Sequence, residues 1–173
     1  MRSLMLLVSV ALFGIASAQA KPDFTGSWAR ADAKEQPSIA ATGDAPFVSG
    51  DMGSGWGSPL TIEQDSHSLA IEYAHFSTYD LQPPLRFIYA LDGADSVNSI
   101  MIGHTQSTQH SRAVWREQTL LISTQVAVPG SSMRVEVQQA LTLEAPQTLV
   151  IETTRSGTPG TAAPVTRTRY VRR

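Results

Sequence analysis

The residues best suited to chemistry are four histidines, and their spacing gives no recognisable metal site. They are His67, His75, His104 and His110. Two imidazoles placed two or four residues apart would share one face of a strand or helix and could hold a metal ion. No two of these histidines have that spacing. We therefore expect surface or capping histidines and no metal ion.

The sequence also contains no recognisable motif for a nucleophile or an acid–base pair. The chain has no Gly-x-Ser-x-Gly elbow, and a Ser-x-x-Lys pattern is excluded because Lys21 and Lys34 are the only lysines. Asp92 and Asp95 fall in a predicted turn, where an Asp-Gly pair has a structural explanation. The sequence thus predicts no catalytic residue, no cofactor and no enzymatic activity. An enzyme with an unrecognised site is the least supported reading.

The elements that must position any functional residue are short strands. Leu60 to Asp65 and Leu69 to Tyr73 alternate apolar and polar residues, which predicts a hairpin. Its core-facing residues would be Leu60, Ile62, Leu69, Ile71 and Tyr73. The same period predicts further strands over residues 85–91, 97–103, 106–116, 120–128, 133–143, 149–154 and 165–171. No stretch after residue 20 combines helical spacing with caps, so we expect an all-β domain.

The first strand is predicted over residues 24–28, where Phe24, Gly26 and Trp28 share one face. Successive hairpins favour an antiparallel up-and-down barrel of about 8–10 strands over a sandwich, which usually needs longer crossings. We expect the first and last strands to pair, since closure removes exposed sheet edges. Trp28 would then plug one end of the barrel.

The stretch Phe24-Thr25-Gly26-Ser27-Trp28 resembles the Gly-x-Trp opening of lipocalin-like barrels. The succession of later motifs is similar to a group of uncharacterised exported bacterial proteins of that kind: Leu60-Thr61-Ile62, Tyr89-Ala90-Leu91-Asp92-Gly93, Ala113-x-Trp115, Leu120-Leu121-Ile122 and Leu149-Val150-Ile151. The resemblance implies a barrel end built from Gly26, Trp28 and a late arginine, Arg169 or Arg167, packed on the indole. The chain departs from lipocalins in having no second signature, no disulfide and no late helix.

Residues 1–20 have the features of a cleaved signal peptide. Arg2 precedes a short apolar core, and Ala18-Gln19-Ala20 gives the small-x-small pattern before the cleavage site. A retained anchor is the alternative. Residues 21–173 would form a single domain in the bacterial periplasm or outside the cell, with no membrane span after cleavage. With no cysteine in the chain, that domain must be stabilised by its core alone.

The distribution of charge and one long connection between strands indicate which binding partners to expect. The net charge of −2 gives no reason to expect nucleic acid. The last strand carries Arg167, Arg169, Arg172 and Arg173 without an acid, which suggests either a docking surface or a solvated edge. Residues 31–59 predict a long loop, and Trp56 within it would belong either to a lid over the barrel or to a mobile surface loop.

The interior is the remaining candidate site. Small residues at Ser111, Ala113 and Thr124 hint at a cavity, whereas a filled core is the alternative. The expected function is therefore non-catalytic binding of a small apolar molecule, or a protein-interaction, self-associating or structural module without a ligand. The predicted ligand-binding residues are Trp28, Trp56, Ile71, Tyr73, Met101, Trp115 and Ile122.

Overall fold

The computed structural model describes residues 20–31, 59–73, 85–102, 105–127, 134–156 and 165–173, with the backbone alone at 100–102, 105, 107 and 127. The predicted signal peptide, apart from Ala20, lies outside this part of the chain. So does nearly all of the predicted long loop, including Trp56. The described residues form ten strands: β1 Gly26–Arg30, β2 Leu60–Gln64, β3 Ser68–Tyr73, β4 Leu85–Ala90, β5 Asp95–Ile102, β6 Thr105–Arg116, β7 Thr119–Ala127, β8 Arg134–Ala145, β9 Thr148–Ser156 and β10 Val165–Arg172.

The ten strands form one antiparallel sheet in the order β4-β3-β2-β1-β10-β9-β8-β7-β6-β5, which curves into a nearly closed up-and-down barrel. The chain-end strands β1 and β10 pair, with Trp28 opposite Arg172. The backbone N–H of Arg173 also donates to the Ser27 carbonyl at 2.9 Å. The predicted all-β barrel and the pairing of its first and last strands are confirmed, and the fold is consistent with a lipocalin-like barrel.

The sheet order ends at β4 and β5, and side chains rather than a backbone ladder join these two strands. The Asn98 carboxamide accepts a hydrogen bond from the Ile88 N–H at 2.8 Å and donates one to the Ile88 carbonyl at 3.0 Å. The Ser96 hydroxyl accepts from the Ala90 N–H at 2.8 Å. We call this junction the seam. Here Asn98 acts as a substitute peptide group, because its amide offers the same donor and acceptor.

Tight turns connect the strands at one end of the barrel. In the β2–β3 turn, the Asp65 carboxylate accepts backbone N–H groups from His67 and Ser68, both at 2.7 Å. These bonds hold the pKa of Asp65 below its usual value. In the β4–β5 turn, Gly93 takes a φ of 83°, which glycine adopts without strain. We call this the turn end.

Alternation along the strands places the core inside the barrel. On β2 and β3, Leu60, Ile62, Leu69, Ile71 and Tyr73 are all buried, which confirms the predicted faces of this hairpin. The alternation on β5 is less obvious from sequence, because Ser96 and Asn98 are buried while Val97 is 59% exposed. Within the described ranges no helix is long and apolar enough to cross a membrane.

Candidate functional site

The turn end of the barrel is filled by an aromatic cluster around Trp28. Trp28 is fully buried, and its indole Nε1 donates a hydrogen bond to the Phe24 carbonyl at 2.9 Å. Phe24 is also fully buried and stacks on Trp115, with ring centroids 5.7 Å apart and ring planes 3° from parallel. The predicted position of Trp28 inside the barrel is therefore what the structure shows, with Phe24 beside it.

The segment before β1 is held against this cluster by Gln64. The side chain of Gln64 accepts from the Phe24 N–H and donates to the Pro22 carbonyl, each at 3.0 Å. The ammonium of Lys21 lies 5.5 Å from the centre of the Trp115 ring. Asp23 accepts hydrogen bonds from Thr25, which lower the pKa of its carboxyl. Residues 21–25 are thus part of the folded domain.

The arginine over Trp28 is Arg172, and the prediction of Arg169 or Arg167 is wrong. The Arg172 guanidinium lies 4.7 Å from the centre of the Trp28 ring. Along β10 the inward positions are Thr168, Tyr170 and Arg172, so Arg167 and Arg169 face outward. Gly26, the other predicted barrel-end residue, has a φ of 144°, and a Cβ there would lie 3.5 Å from the Arg172 guanidinium.

The outward arginines of β10 belong to an ion-pair cluster. Arg167 and Arg169 both pair with Glu144, the second at 2.8 Å, and Arg167 also approaches Glu152 at 3.7 Å. All these side chains are at least partly exposed, so each pair contributes little to stability. Their importance is that two of the positive charges on the last strand are already neutralised within the chain.

The barrel interior along β3 and β4 is an apolar wall with stacked aromatic rings. Tyr73 stacks on Phe87 at 6.0 Å between centroids, and Phe87 stacks on Tyr89 at 6.5 Å. Ile62 and Ile71 are fully buried beside them in the same core. Burial raises the pKa of Tyr73 to about 12.

The interior along β6 to β9 has a different character. Four buried polar side chains, all uncharged, lie on these strands, and we call them the interior polar patch: Ser111, Thr124, Gln139 and Thr153. The Ser111 and Thr124 hydroxyls share a hydrogen bond of 2.9 Å. Gln139 lies directly opposite Thr153 in the β8–β9 ladder. Thr153 is 2% exposed, and its hydroxyl has no hydrogen-bond partner.

Of the seven predicted ligand-binding residues, five have side chains in the described part of the chain. Trp28, Ile71, Tyr73 and Ile122 are buried in the barrel core, and Trp115 packs against it half-buried. The structure brings these residues to the inside of one barrel. Met101 pairs with Gln106 in the backbone register, but its side chain lies outside the described part, as does Trp56.

Sequence reasoning missed Gln139, Thr153 and Arg172, and a signal existed for the first two. Gln139 occupies the inward alternation of β8 between Val137 and Leu141, where an apolar residue would complete the pattern. Thr153 continues the inward series of Leu149 and Ile151 on β9. A polar residue at a core position is the more informative kind of departure, because its burial carries a free-energy cost.

The histidines whose positions are described lie on the outside. His67 is in an exposed turn, and the Nδ1 of His110 lies 2.8 Å from the Asp95 carboxylate at the surface. Within the described ranges no three histidine, aspartate or glutamate side chains come close enough to hold a metal ion.

Comparison of the chain with models of known families, with curated proteins and with solved structures gave no match.

Proposed function

We propose that this protein is a non-catalytic binding module that holds a small, mainly apolar molecule inside its barrel. The observation that carries the proposal is the run of small or polar residues inside β6 to β9. Ser111 lies opposite Thr124 in the β6–β7 ladder, Gln139 lies opposite Thr153 in the β8–β9 ladder, and Ala113 is the next buried residue on β6 after Ser111. A barrel interior that serves only as a packed core is expected to carry large aliphatic side chains at such positions.

The apolar wall supplies the other half of the argument. Ligand pockets are typically lined by aromatic and aliphatic side chains with a few polar groups that fix orientation. Tyr73, Phe87 and Tyr89 offer such a surface, since their rings form one continuous stack. The proposal includes export: a signal peptide removed after Ala20, and a likeness to exported bacterial barrels. Cleavage there would leave Pro22 and Phe24 in place to bind Gln64.

The test is to purify the protein from its natural compartment and extract it with organic solvent. Mass spectrometry should find one class of small apolar molecule in near-stoichiometric amount, and amino-terminal sequencing should begin at Lys21. The extracted protein should then bind apolar probes with quenching of tryptophan fluorescence. A protein that yields no molecule and quenches with no probe would be a filled barrel, and the proposal would be wrong.

A second candidate is a protein-interaction or structural module without a ligand. It is favoured by two exposed apolar side chains, Ile88 at 50% and Val97 at 59%, which lie on the two strands of the seam. Sedimentation at increasing protein concentration separates the two candidates. Self-association of a ligand-free protein, lost on changing Ile88→Ser, would support this alternative. The ion pairs of Arg167 and Arg169 argue against a salt-sensitive contact through β10.

A further inference from the structure

We infer that the molecule held in the barrel is uncharged and carries a hydrogen-bonding group, such as a hydroxyl or carbonyl, which Gln139 and Thr153 bind. This inference rests on the proposed function and names the chemical class of its ligand. The two residues lie opposite each other on β8 and β9, both more than nine-tenths buried.

The Thr153 hydroxyl lies on the inward face of β9. It is a buried donor and acceptor with no hydrogen-bond partner. Leaving such a group unpaired destabilises a fold, whereas a valine of the same shape would not. The other patch hydroxyls, on Ser111 and Thr124, satisfy each other. Within the interior polar patch, Thr153 is therefore the hydroxyl that a partner from outside the chain can satisfy; the other buried atoms without a partner, Trp115 Nε1 and Arg172 Nε, lie at the turn end.

Gln139 and Thr153 are close enough for one ligand group to contact both. Residues directly opposite in an antiparallel ladder have Cβ atoms about 4.5–5.5 Å apart. One polar group of a ligand can therefore contact both side chains at once. The Gln139 carboxamide offers a donor and an acceptor, and the Thr153 hydroxyl offers both as well. This pair suits a hydroxyl or a carbonyl equally.

The surroundings of Thr153 disfavour a charged ligand. Every polar side chain that is buried in the described part of the chain is neutral. A charged group next to Thr153 would lose its hydration without a buried counter-charge, which is strongly unfavourable. Arg155 is two positions along β9, but it is only half-buried. A carboxylate would gain little from it there.

The experiment uses calorimetry at neutral pH to compare three probes that share one ring system: naphthalene, 2-naphthol and 2-naphthoate. The wild-type protein should bind 2-naphthol about tenfold more tightly than naphthalene, since one hydrogen bond to an otherwise unpaired buried group has about that effect. Thr153→Val and Gln139→Leu should each remove most of this preference for 2-naphthol over naphthalene.

Two control variants keep the test interpretable. Thr153→Ser retains the hydroxyl and should retain the preference for 2-naphthol. Thr61→Val changes an exposed threonine on β2 and should have no effect. Equal binding of naphthalene and 2-naphthol by the wild type would overturn the inference while the binding module stands. Tightest binding of 2-naphthoate would overturn it in favour of an anionic ligand. Binding of none of the three would overturn the proposed function, and the inference with it.

Discussion

The two sides of the barrel interior follow the same alternation of inward and outward residues, but they bury different kinds of side chain. On β1 to β4 every buried side chain that the structure describes is apolar, with Trp28, Ile62 and Phe87 among them. All the buried polar side chains of the described chain lie on β5 to β10: Ser96, Asn98, Ser111, Thr124, Gln139, Thr153 and Thr168. Both sides contain large, fully buried apolar side chains, but only the second side also contains buried polar groups that stability alone does not explain.

The largest expected effect comes from the apolar side. Ile62 is fully buried on β2, so Ile62→Ala should lower the free energy of unfolding by about 2–5 kcal/mol through lost burial and a residual cavity. Urea denaturation followed by tryptophan fluorescence measures it. A loss below about 1 kcal/mol would mean that this wall is loosely packed, and the contrast between the two sides would disappear.

Alkaline pH provides a second test of the same wall. The pKa of Tyr73 is about 12 in the folded protein, against about 10 in an unfolded chain. Between these values the unfolded chain loses the proton first, so stability should fall as pH rises from 10 towards 12. The total loss from this residue is about 2–3 kcal/mol, and about half should be visible at pH 11. In Tyr73→Phe the slope of stability against pH should be smaller than in the wild type; identical slopes would show that Tyr73 is solvated.

The seam tests polar groups that do have partners. Asn98→Ala removes two hydrogen bonds to Ile88, and we expect a loss of about 1–2 kcal/mol. Ser96→Ala removes one bond and should have the smaller effect. Hydrogen exchange should show the amides of Ile88 and Ala90 exchanging faster in the respective variants. Unchanged protection at both would contradict the role given to these side chains.

The smallest expected effect lies in the interior polar patch. Thr153→Val replaces an unpartnered buried hydroxyl with a methyl group, so the ligand-free protein should be equally stable or slightly more stable. Ser111→Ala is the matched comparison, since it breaks a buried hydrogen bond and should lose about 1 kcal/mol. If Thr153→Val destabilised the ligand-free protein as much as Ser111→Ala, the hydroxyl would have a structural partner and no ligand would be required.

Much of the fold follows from the sequence because alternation alone determines which face of a strand is buried. The strands and the faces of Leu60 and Ile71 were predictable on that basis. The choice between Arg169 and Arg172 required the register of β10 against β1, which the chain's local pattern does not contain. The inward position of Asn98 depends on the edge of β4 beside it, because only there can its amide replace a backbone ladder.

The candidate site was less predictable for a related reason. Gln139 and Thr153 are separated by the β8–β9 turn, and only their ladder register makes them neighbours. A polar residue within an apolar alternation marks a position of interest, but it does not show whether a partner for that residue exists within the chain. The structure answers that for Ser111 and Thr124, which pair, and for Thr153, which does not.

The most direct measurement is the methyl NMR spectrum of threonine-labelled protein titrated with 2-naphthol. The account predicts saturable shifts of the Thr124 and Thr153 methyl resonances, with the exposed Thr61 unchanged. Unmoved resonances at both Thr124 and Thr153, or larger shifts at Thr61, would contradict a ligand site inside the barrel.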